Sequence, residues 1–331
     1  MAVHSYYLDS DRRLATGLDA ERMCEVITGG PSAGTLWVDF DNPTAEEIDL
    51  LDEVFALHPL TIEDCTNFNK YPKVEDFGRY LFMVLLAPNP ATLLSDELAA
   101  VELDVCMGAN WVMTYHTGGE LACVTRAVGA LRRNSANVLG KGPAFLYHRL
   151  IDGLVDDYFP LLDVLDRETE AVEDSFMGGH PTHESFARIM ALKRNVLHLR
   201  RIVLPHREMI GRVLHEDYPL LGEGVLAYFR DVADHLARIA DQIELNRETI
   251  YEATQMYNSV LVQRTNDVMR AFTVVAALMM FPTAVASIWG MNFSEKFIPL
   301  YHNPAGFYLV VGGMVLLTAG LIWYFRRRKW V

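Results

Sequence analysis

Positive charge is what this chain is short of. Its 29 lysines and arginines stand against 43 acids, a formal net charge of −14, and a surface of that sign repels phosphate backbones, so nucleic acid is excluded as a partner. Cysteine is scarce as well. Cys24, Cys65, Cys106 and Cys123 are the only four, with no Cys-x-x-Cys pair, which argues against a zinc ribbon and for reduced core thiols in a cytoplasmic compartment. The opening Met1-Ala2-Val3-His4-Ser5-Tyr6 carries no apolar targeting segment, so export of the N-terminal part is not expected. No nucleotide loop, activated nucleophile or acid–base dyad stands out, and no enzyme is expected. Proline and glycine nearly vanish between Val225 and Asn292, where Pro282 and Gly290 alone occur, and charge vanishes from Ala271 to Phe293 and again from Ala305 to Phe325.

Those last absences define what is there. About 20 apolar residues cross a hydrocarbon core of about 30 Å, so each uncharged run can span a bilayer as a helix. With no breaker ahead of it, the first span and the segment before it read as one helix, roughly 100 Å long at about 1.5 Å per residue. Pro282 leaves one carbonyl unpaired and permits a bend. Arg326-Arg327-Arg328-Lys329 after the second span, and Arg264 and Arg270 before the first, are the cationic flanks. They place both ends of the chain in the cytoplasm, in an inner or plasma membrane.

The rest of the chain divides by pattern. Residues 1–140 alternate strand and helix signals: Leu36–Phe40, Tyr80–Leu86, Ala99–Met107 and Trp111–His116 read as strands, the last two joined at Gly108-Ala109-Asn110. Thr44 to Glu47 has the capping-box form that opens a helix to about Leu57, and a second helix is expected from Glu120 to Arg133. Residues 141–222 read as a helical hairpin. One arm, Ala144–Phe176, has an acidic face that includes Asp152, Asp156 and Asp157; after Gly178-Gly179-His180-Pro181, Thr182 opens an arm with a basic side, Lys193, Arg194, Arg200 and Arg201. Apolar stripes suffice to hold such a hairpin. His180 and His183 form a His-x-x-His whose ordinary reading is a surface pair flanking a turn. The expected layout is then a stalk helix over 223–292 whose end, about 271–292, is the first span, a loop at 293–304, a second span at 305–325 and a basic tail at 326–331.

Gly290-Met291-Asn292 closing the first of two C-terminal spans, with a short loop, a second span and a basic end, resembles the CorA family of divalent-cation channels. The likeness extends through His58-Pro59-Leu60 with Glu63-Asp64, Pro72-Lys73-Val74-Glu75, Tyr228-Phe229-Arg230-Asp231-Val232 and Thr265-Asn266-Asp267-Val268-Met269-Arg270. It implies an α+β cytoplasmic domain, a long helical stalk and two transmembrane helices in a funnel-shaped homo-oligomer, a pentamer. It also implies conduction of Mg²⁺, with Co²⁺ and Ni²⁺ as lookalikes, and closure by internal cation bridging Asp64 of one subunit and Asp231 of the next. Either acid also reads as a helix cap or surface pair. No resident cofactor is implied, the ion being cargo and regulator.

Two helices cannot enclose water, so a conduit requires a closed ring of copies in the lipid. Counting back from Gly290 by three and four gives Ser287, Thr283, Met280, Ala276, Thr273, Met269 and Asn266, a small and polar stripe at the heptad period. Small residues also let membrane helices pack closely, but four polar members without a GxxxG pattern favour a pore lining. Mg²⁺ holds its water shell, so amide and hydroxyl oxygens need only bind first-shell waters. In such a ring Asn292 stands at the outer mouth, Asn266 at the inner end, and Met269, Phe272 and Met280 are candidate apolar gates. This chain departs from the magnesium-moving pattern in having Trp289 before the motif, Gln255 where relatives often carry an acid, and a loop in which Glu295, a candidate for attracting cations, is followed by Lys296 and then His302. A Zn²⁺ transporter of the same superfamily, and a non-conducting membrane-anchored sensor or scaffold, are the alternatives.

Overall fold

The computed structural model describes residues 3–69, 71–93, 98–177, 182–291, 304–328 and 330. It divides into two units, Met1–Thr254 and Gln255–Val331.

The first unit is built on a seven-stranded sheet. In chain order the strands are β1 (Val3–Leu8), β2 (Leu14–Thr16), β3 (Thr35–Asp41), β4 (Lys73–Asp76), β5 (Tyr80–Pro88), β6 (Ala100–Gly108) and β7 (Trp111–His116), and across the sheet they run β2-β1-β3-β7-β6-β5-β4. Only β3 and β7 are parallel; every other neighbour is antiparallel. All nine residues of β5 are buried, the state expected of a strand covered on both faces, and this is why it reads as a continuous apolar run. One face packs Phe40, Val84, Cys106, Met113 and Tyr115 under α1 (Ala20–Gly29), α2 (Ala45–Ile48), α3 (Leu50–Glu53) and α4 (Pro59–Thr66). The other is covered by helices from the second half of the unit.

Those helices are α5 (Ala122–Arg133), α6 (Ser135–Val138), α7 (Pro143–Asp156), α8 (Tyr158–Met177), α9 (His183–His215) and α10 (Glu223–Trp289), whose first part belongs here. Thr182 caps α9 by accepting the Ser185 N–H. The two hairpin arms do exchange charge, Arg188 reaching Glu168 at 2.7 Å, but the basic side also serves α10, where Arg200 lies 3.5 Å from Glu244.

Ahead of the first expected strand the chain forms β1, β2 and α1, and Val3–Leu8 pairs with β3 along its whole length. Two local expectations are revised. The helix expected from Thr44 to Leu57 has its capping box but divides at Asp49 and ends with Ala56 in the left-handed region (φ 48°). There the Leu57 N–H reaches the Leu51 carbonyl and the Ala56 N–H that of Asp52, the paired bonds that stop a helix, supplied here without glycine. The single helix expected over Ala144–Phe176 divides at Asp157 into α7 and α8. At the β6–β7 turn the glycine is obligatory, since a Cβ on Gly108 would fall 2.2 Å from the Trp111 indole.

The second unit holds the end of α10 and a further helix, α11 (Pro304–Arg327). Both are long and apolar enough to cross a membrane, with almost no burial inside the chain. α10 continues through Pro282 to Trp289.

Candidate ion path and acidic cluster

The polar stripe lies on one side of α10. Asn266, Met269, Thr273, Ala276, Met280, Thr283, Ser287 and Gly290 are all exposed, as is Phe272. From residue 261 to the end of this helix, the residues screened from solvent are Val274, Ala277, Leu278, Pro282, Val285 and Trp289. At about 100° per residue the two sets point in roughly opposite directions. On α11 the screened residues are Gly306, Val310, Met314, Thr318, Leu321 and Phe325, again a single face. Each apolar helix therefore has a covered side, and the polar stripe is on the uncovered side of α10.

The two threonine hydroxyls in the stripe are oriented by their own helix. Thr273 donates to the Met269 carbonyl at 2.8 Å and Thr283 to the Met279 carbonyl at 2.7 Å. Having given its proton inward, each oxygen presents lone pairs outward, the polarity that accepts hydrogen bonds from water on a cation. The helix ends just where the motif begins: the Gly290 N–H still bonds the Ala286 carbonyl at 2.9 Å, whereas Met291 turns back to Ile288. A Cβ on Gly290 would sit 3.2 Å from the Ala286 oxygen, so a larger residue would push on the last turn. Asn292, Glu295, Lys296 and His302 lie outside the described residues, as does His180 and the side chain of His183.

Asp64 is held on α4, whose N-cap is His58, its Nδ1 accepting the Leu60 N–H, with Pro59 next. The Tyr80 hydroxyl fixes this helix to β5, accepting the His58 N–H at 3.0 Å and bonding Thr61 Oγ1 at 2.8 Å. The Asp64 carboxylate takes Lys73 Nζ at 2.6 Å, and the same ammonium lies 3.1 Å from Glu75. Burial lowers the Lys73 pKa, but the bonds to Asp64 and Glu75 outweigh it and leave it raised. Lys73 is thus the partner of the Asp64 carboxylate within the chain.

Asp231 has other company. On α10 it stands one turn before His235, with Oδ2 3.8 Å from Nε2; the opposite ring nitrogen, Nδ1, is 3.1 Å from Asp156 and 4.0 Å from Asp152 on α7. Ligand atoms of Asp152, Asp156 and His235 all fall within 4.8 Å of one another, the one such group of three among the described residues. Burial first, then the neighbouring Asp156, raises the Asp152 pKa, and His235 opposes this. Two carboxylates and an imidazole form a donor set that suits Mg²⁺ poorly in its nitrogen but accommodates Co²⁺, Ni²⁺ or Zn²⁺. Beside it, burial holds His148 neutral, its pKa pushed down to about 4, with its ring against Tyr228 and Phe229. Asp64 and Asp231 thus have separate partners within one chain. The trio was missed in the sequence, where Asp152 and Asp156 were only members of an acidic face. The usable signal was two pairs spaced by four, Asp152/Asp156 and Asp231/His235, each on one side of its helix.

An α/β unit, a long helix whose end is apolar and carries one polar stripe, and a second apolar helix give the outline of a membrane protein with two candidate spans. Comparison with known proteins identifies which: the family model described as CorA-like Mg²⁺ transporter protein matches residues 32–327. The chain belongs to that family. It is 30% identical to the cobalt/magnesium transport protein CorA of Thermotoga maritima over 331 residues, covering 99% of this chain and 92% of the relative. Its fold matches the complete CorA magnesium transporter structure from Methanocaldococcus jannaschii with a TM-score of 0.83 at 19% identity, over 100% of this chain and 99% of that one. A ZntB cytoplasmic domain from Vibrio parahaemolyticus shares the soluble fold at a TM-score of 0.57 and 11% identity, over 80% of this chain and 100% of that domain.

Proposed function

We propose that this divalent-cation transporter is a homo-oligomeric, pentameric channel in which copies of α10 surround a path for hydrated Mg²⁺, with Co²⁺ and Ni²⁺ as further substrates. The observation that carries the reading is the opposition on α10 between the polar stripe and the screened apolar face. In a ring, Thr273, Thr283, Ser287 and Asn266 give successive belts of oxygen acceptors, and Met269, Phe272 and Met280 give the narrow apolar levels where the path closes by dewetting. Gly290, Met291 and Asn292 form the outer mouth, with Glu295 drawing cations toward it. Both chain ends lie in the cytoplasm, a reading that the basic flanks support. The function named for the Thermotoga relative, cobalt and magnesium transport, supports the choice of ion.

Internal cation closes the channel by binding between neighbouring soluble units at Asp64 and Asp231, with Asp152, Asp156 and His235 as supporting ligands on the Asp231 side. The Zn²⁺ reading rests on the imidazole in this trio and on His302 in the loop. Both ion readings and the scaffold reading are separated by one experiment. Vesicles holding the reconstituted protein and a Mg²⁺-sensitive or Zn²⁺-sensitive dye should report Mg²⁺ uptake that Asn292→Ala abolishes. Uptake of Zn²⁺ alone would replace the ion, and identical leak from both proteins would leave a scaffold.

A further inference from the structure

We propose that the C-terminal end of α11 is a binding site for the headgroup of an anionic phospholipid, formed by Arg326, Arg327 and Arg328 on a platform of Trp323, Tyr324 and Trp330. The proposal rests on the membrane-spanning reading of α11 and is independent of what the protein conducts.

The three arginines are not a loose tail. The Arg327 guanidinium lies over the Trp323 ring, 5.4 Å from its centre, and that of Arg328 over the Tyr324 ring at 5.8 Å. The Arg328 N–H continues the helical ladder to the Tyr324 carbonyl at 3.1 Å, the Trp330 N–H bonds the Phe325 carbonyl at 3.0 Å, and the Trp330 ring lies along Phe325 at 5.7 Å and 20°. Phe325 is buried, while Trp323, Tyr324 and Trp330 remain exposed. Amphipathic rings at the end of an apolar helix belong at headgroup depth. A guanidinium whose face is taken by a ring still has its N–H edge free, and that edge matches two oxygens of a phosphodiester.

Charge points the same way. From residue 305 to the last residue there is no Asp or Glu, against Arg326, Arg327, Arg328 and Lys329, in a chain whose net charge is −14. The segment supplies no internal counter-ion, and at this depth the abundant anion is lipid phosphate. A diffuse basic belt would also attract an anionic leaflet, but it would be indifferent to the shape of the cation. A site built from stacked forks would not be.

The test uses the full-length protein purified from membranes of mixed phosphatidylglycerol and phosphatidylcholine, with retained lipid counted by native mass spectrometry. The wild type should keep phosphatidylglycerol in preference to phosphatidylcholine. Replacing all three arginines with lysine keeps the charge and should lower that retention about tenfold, because an ammonium neither stacks as a plane nor binds two oxygens. Trp323→Leu should reduce it in the same direction. Unchanged retention in the lysine variant, equal retention of the two lipids by the wild type, or displacement of the lipid by inorganic phosphate at matched concentration would each overturn the proposal. Transport plays no part in the readout, so a protein that conducts nothing still decides it.

Discussion

The Nε2 atom of His206, deep in α9, accepts the backbone N–H of Leu86 at 3.2 Å. Leu86 stands on β5 just past the last residue paired with β4, so its outward backbone groups have no strand partner there. His206 takes the N–H and the Tyr158 hydroxyl donates to the carbonyl at 2.5 Å, so two helical side chains finish the open edge of the sheet. The arrangement demands a neutral imidazole with its other nitrogen, Nδ1, donating to the Ile202 carbonyl. Burial holds it neutral, with a pKa pushed down from 6.5 to about 4. A folded pKa below the unfolded one means that the unfolded chain takes the proton first. Stability is therefore lost as pH falls from about 6.5 to about 4, by about 3 kcal/mol from this residue, and His148 adds to the loss in the same window. His206→Gln can still accept from Leu86 and cannot titrate, so the melting temperature should fall less steeply in acid than that of the wild type. His206→Leu leaves the Leu86 N–H unpaired and should cost about 1–3 kcal/mol at neutral pH. Thermal melts of the full-length protein between pH 4 and pH 8 check both.

The opposite dependence is expected from β6. Asp104 is buried with one carboxylate oxygen lacking any hydrogen-bond partner, and its side chain meets that of Glu102. Glu102 in turn accepts from the Asn69 N–H at 2.5 Å and from its amide group at 3.0 Å. Burial first, and then the charge of Glu102, drives the Asp104 pKa well above the ordinary carboxylate value; burial likewise raises Glu102. The folded pair therefore keeps a proton that the unfolded chain releases, and stability falls as pH rises above the ordinary carboxylate range. Asp104→Asn removes the ionisable group while keeping size and polarity. It should raise the melting temperature by a few degrees, roughly the effect of about 1 kcal/mol, at pH 8 and have little effect at pH 4. A destabilised variant at pH 8 would mean that the charged form is the one the fold needs.

How far the sequence disclosed this structure depended on how much each signal relied on neighbours. Tyr80–Leu86 was legible because a strand buried on both faces reads as a continuous apolar run, and Trp111–His116 because its aromatic and β-branched residues follow a turn signal at Gly108-Ala109-Asn110. The capping box of α2 was legible because its two bonds join residues three apart. β1 and β2 were not: Leu14–Thr16 is three exposed residues whose strand identity comes only from pairing with β1. The polar stripe could be read from period alone, since a helix fixes which residues share a side. For the Asp152, Asp156 and His235 group the sequence holds only the two i,i+4 pairs, because joining them needs α7 laid against α10, and nothing local records that packing.

Lys73 offers a test of the proposed closure at Asp64. Its Nζ sits 2.6 Å from the Asp64 carboxylate, and both side chains are partly shielded, 28% and 22% exposed. A divalent cation arriving at Asp64 must displace this ammonium. Lys73→Gln removes the competitor and should lower the internal Mg²⁺ concentration needed for half-closure about fivefold, equivalent to roughly 1 kcal/mol for a partly exposed pair. Vesicle uptake at graded internal Mg²⁺ measures it. No shift in that midpoint would remove Asp64 from the closing site.

The decisive comparison for the ion path is between two threonines with the same local chemistry. Thr283 donates to the Met279 carbonyl at 2.7 Å and Thr318 to the Met314 carbonyl at 2.8 Å, each four residues back along its own helix. They differ in where they face: Thr283 is exposed in the polar stripe of α10, Thr318 lies on the screened face of α11. Valine has nearly the shape of threonine without its oxygen. If first-shell waters of the ion are bound by hydroxyl oxygens, Thr283→Val removes one acceptor from every subunit at one level, and Mg²⁺ uptake should drop by about tenfold or more, the effect of about 1.4 kcal/mol on the barrier. Thr318→Val should leave uptake unchanged, since its oxygen faces no ion. Equal loss in both would point to helix packing as the cause, and uptake preserved in both would mean that the stripe looks onto something other than the path of the ion.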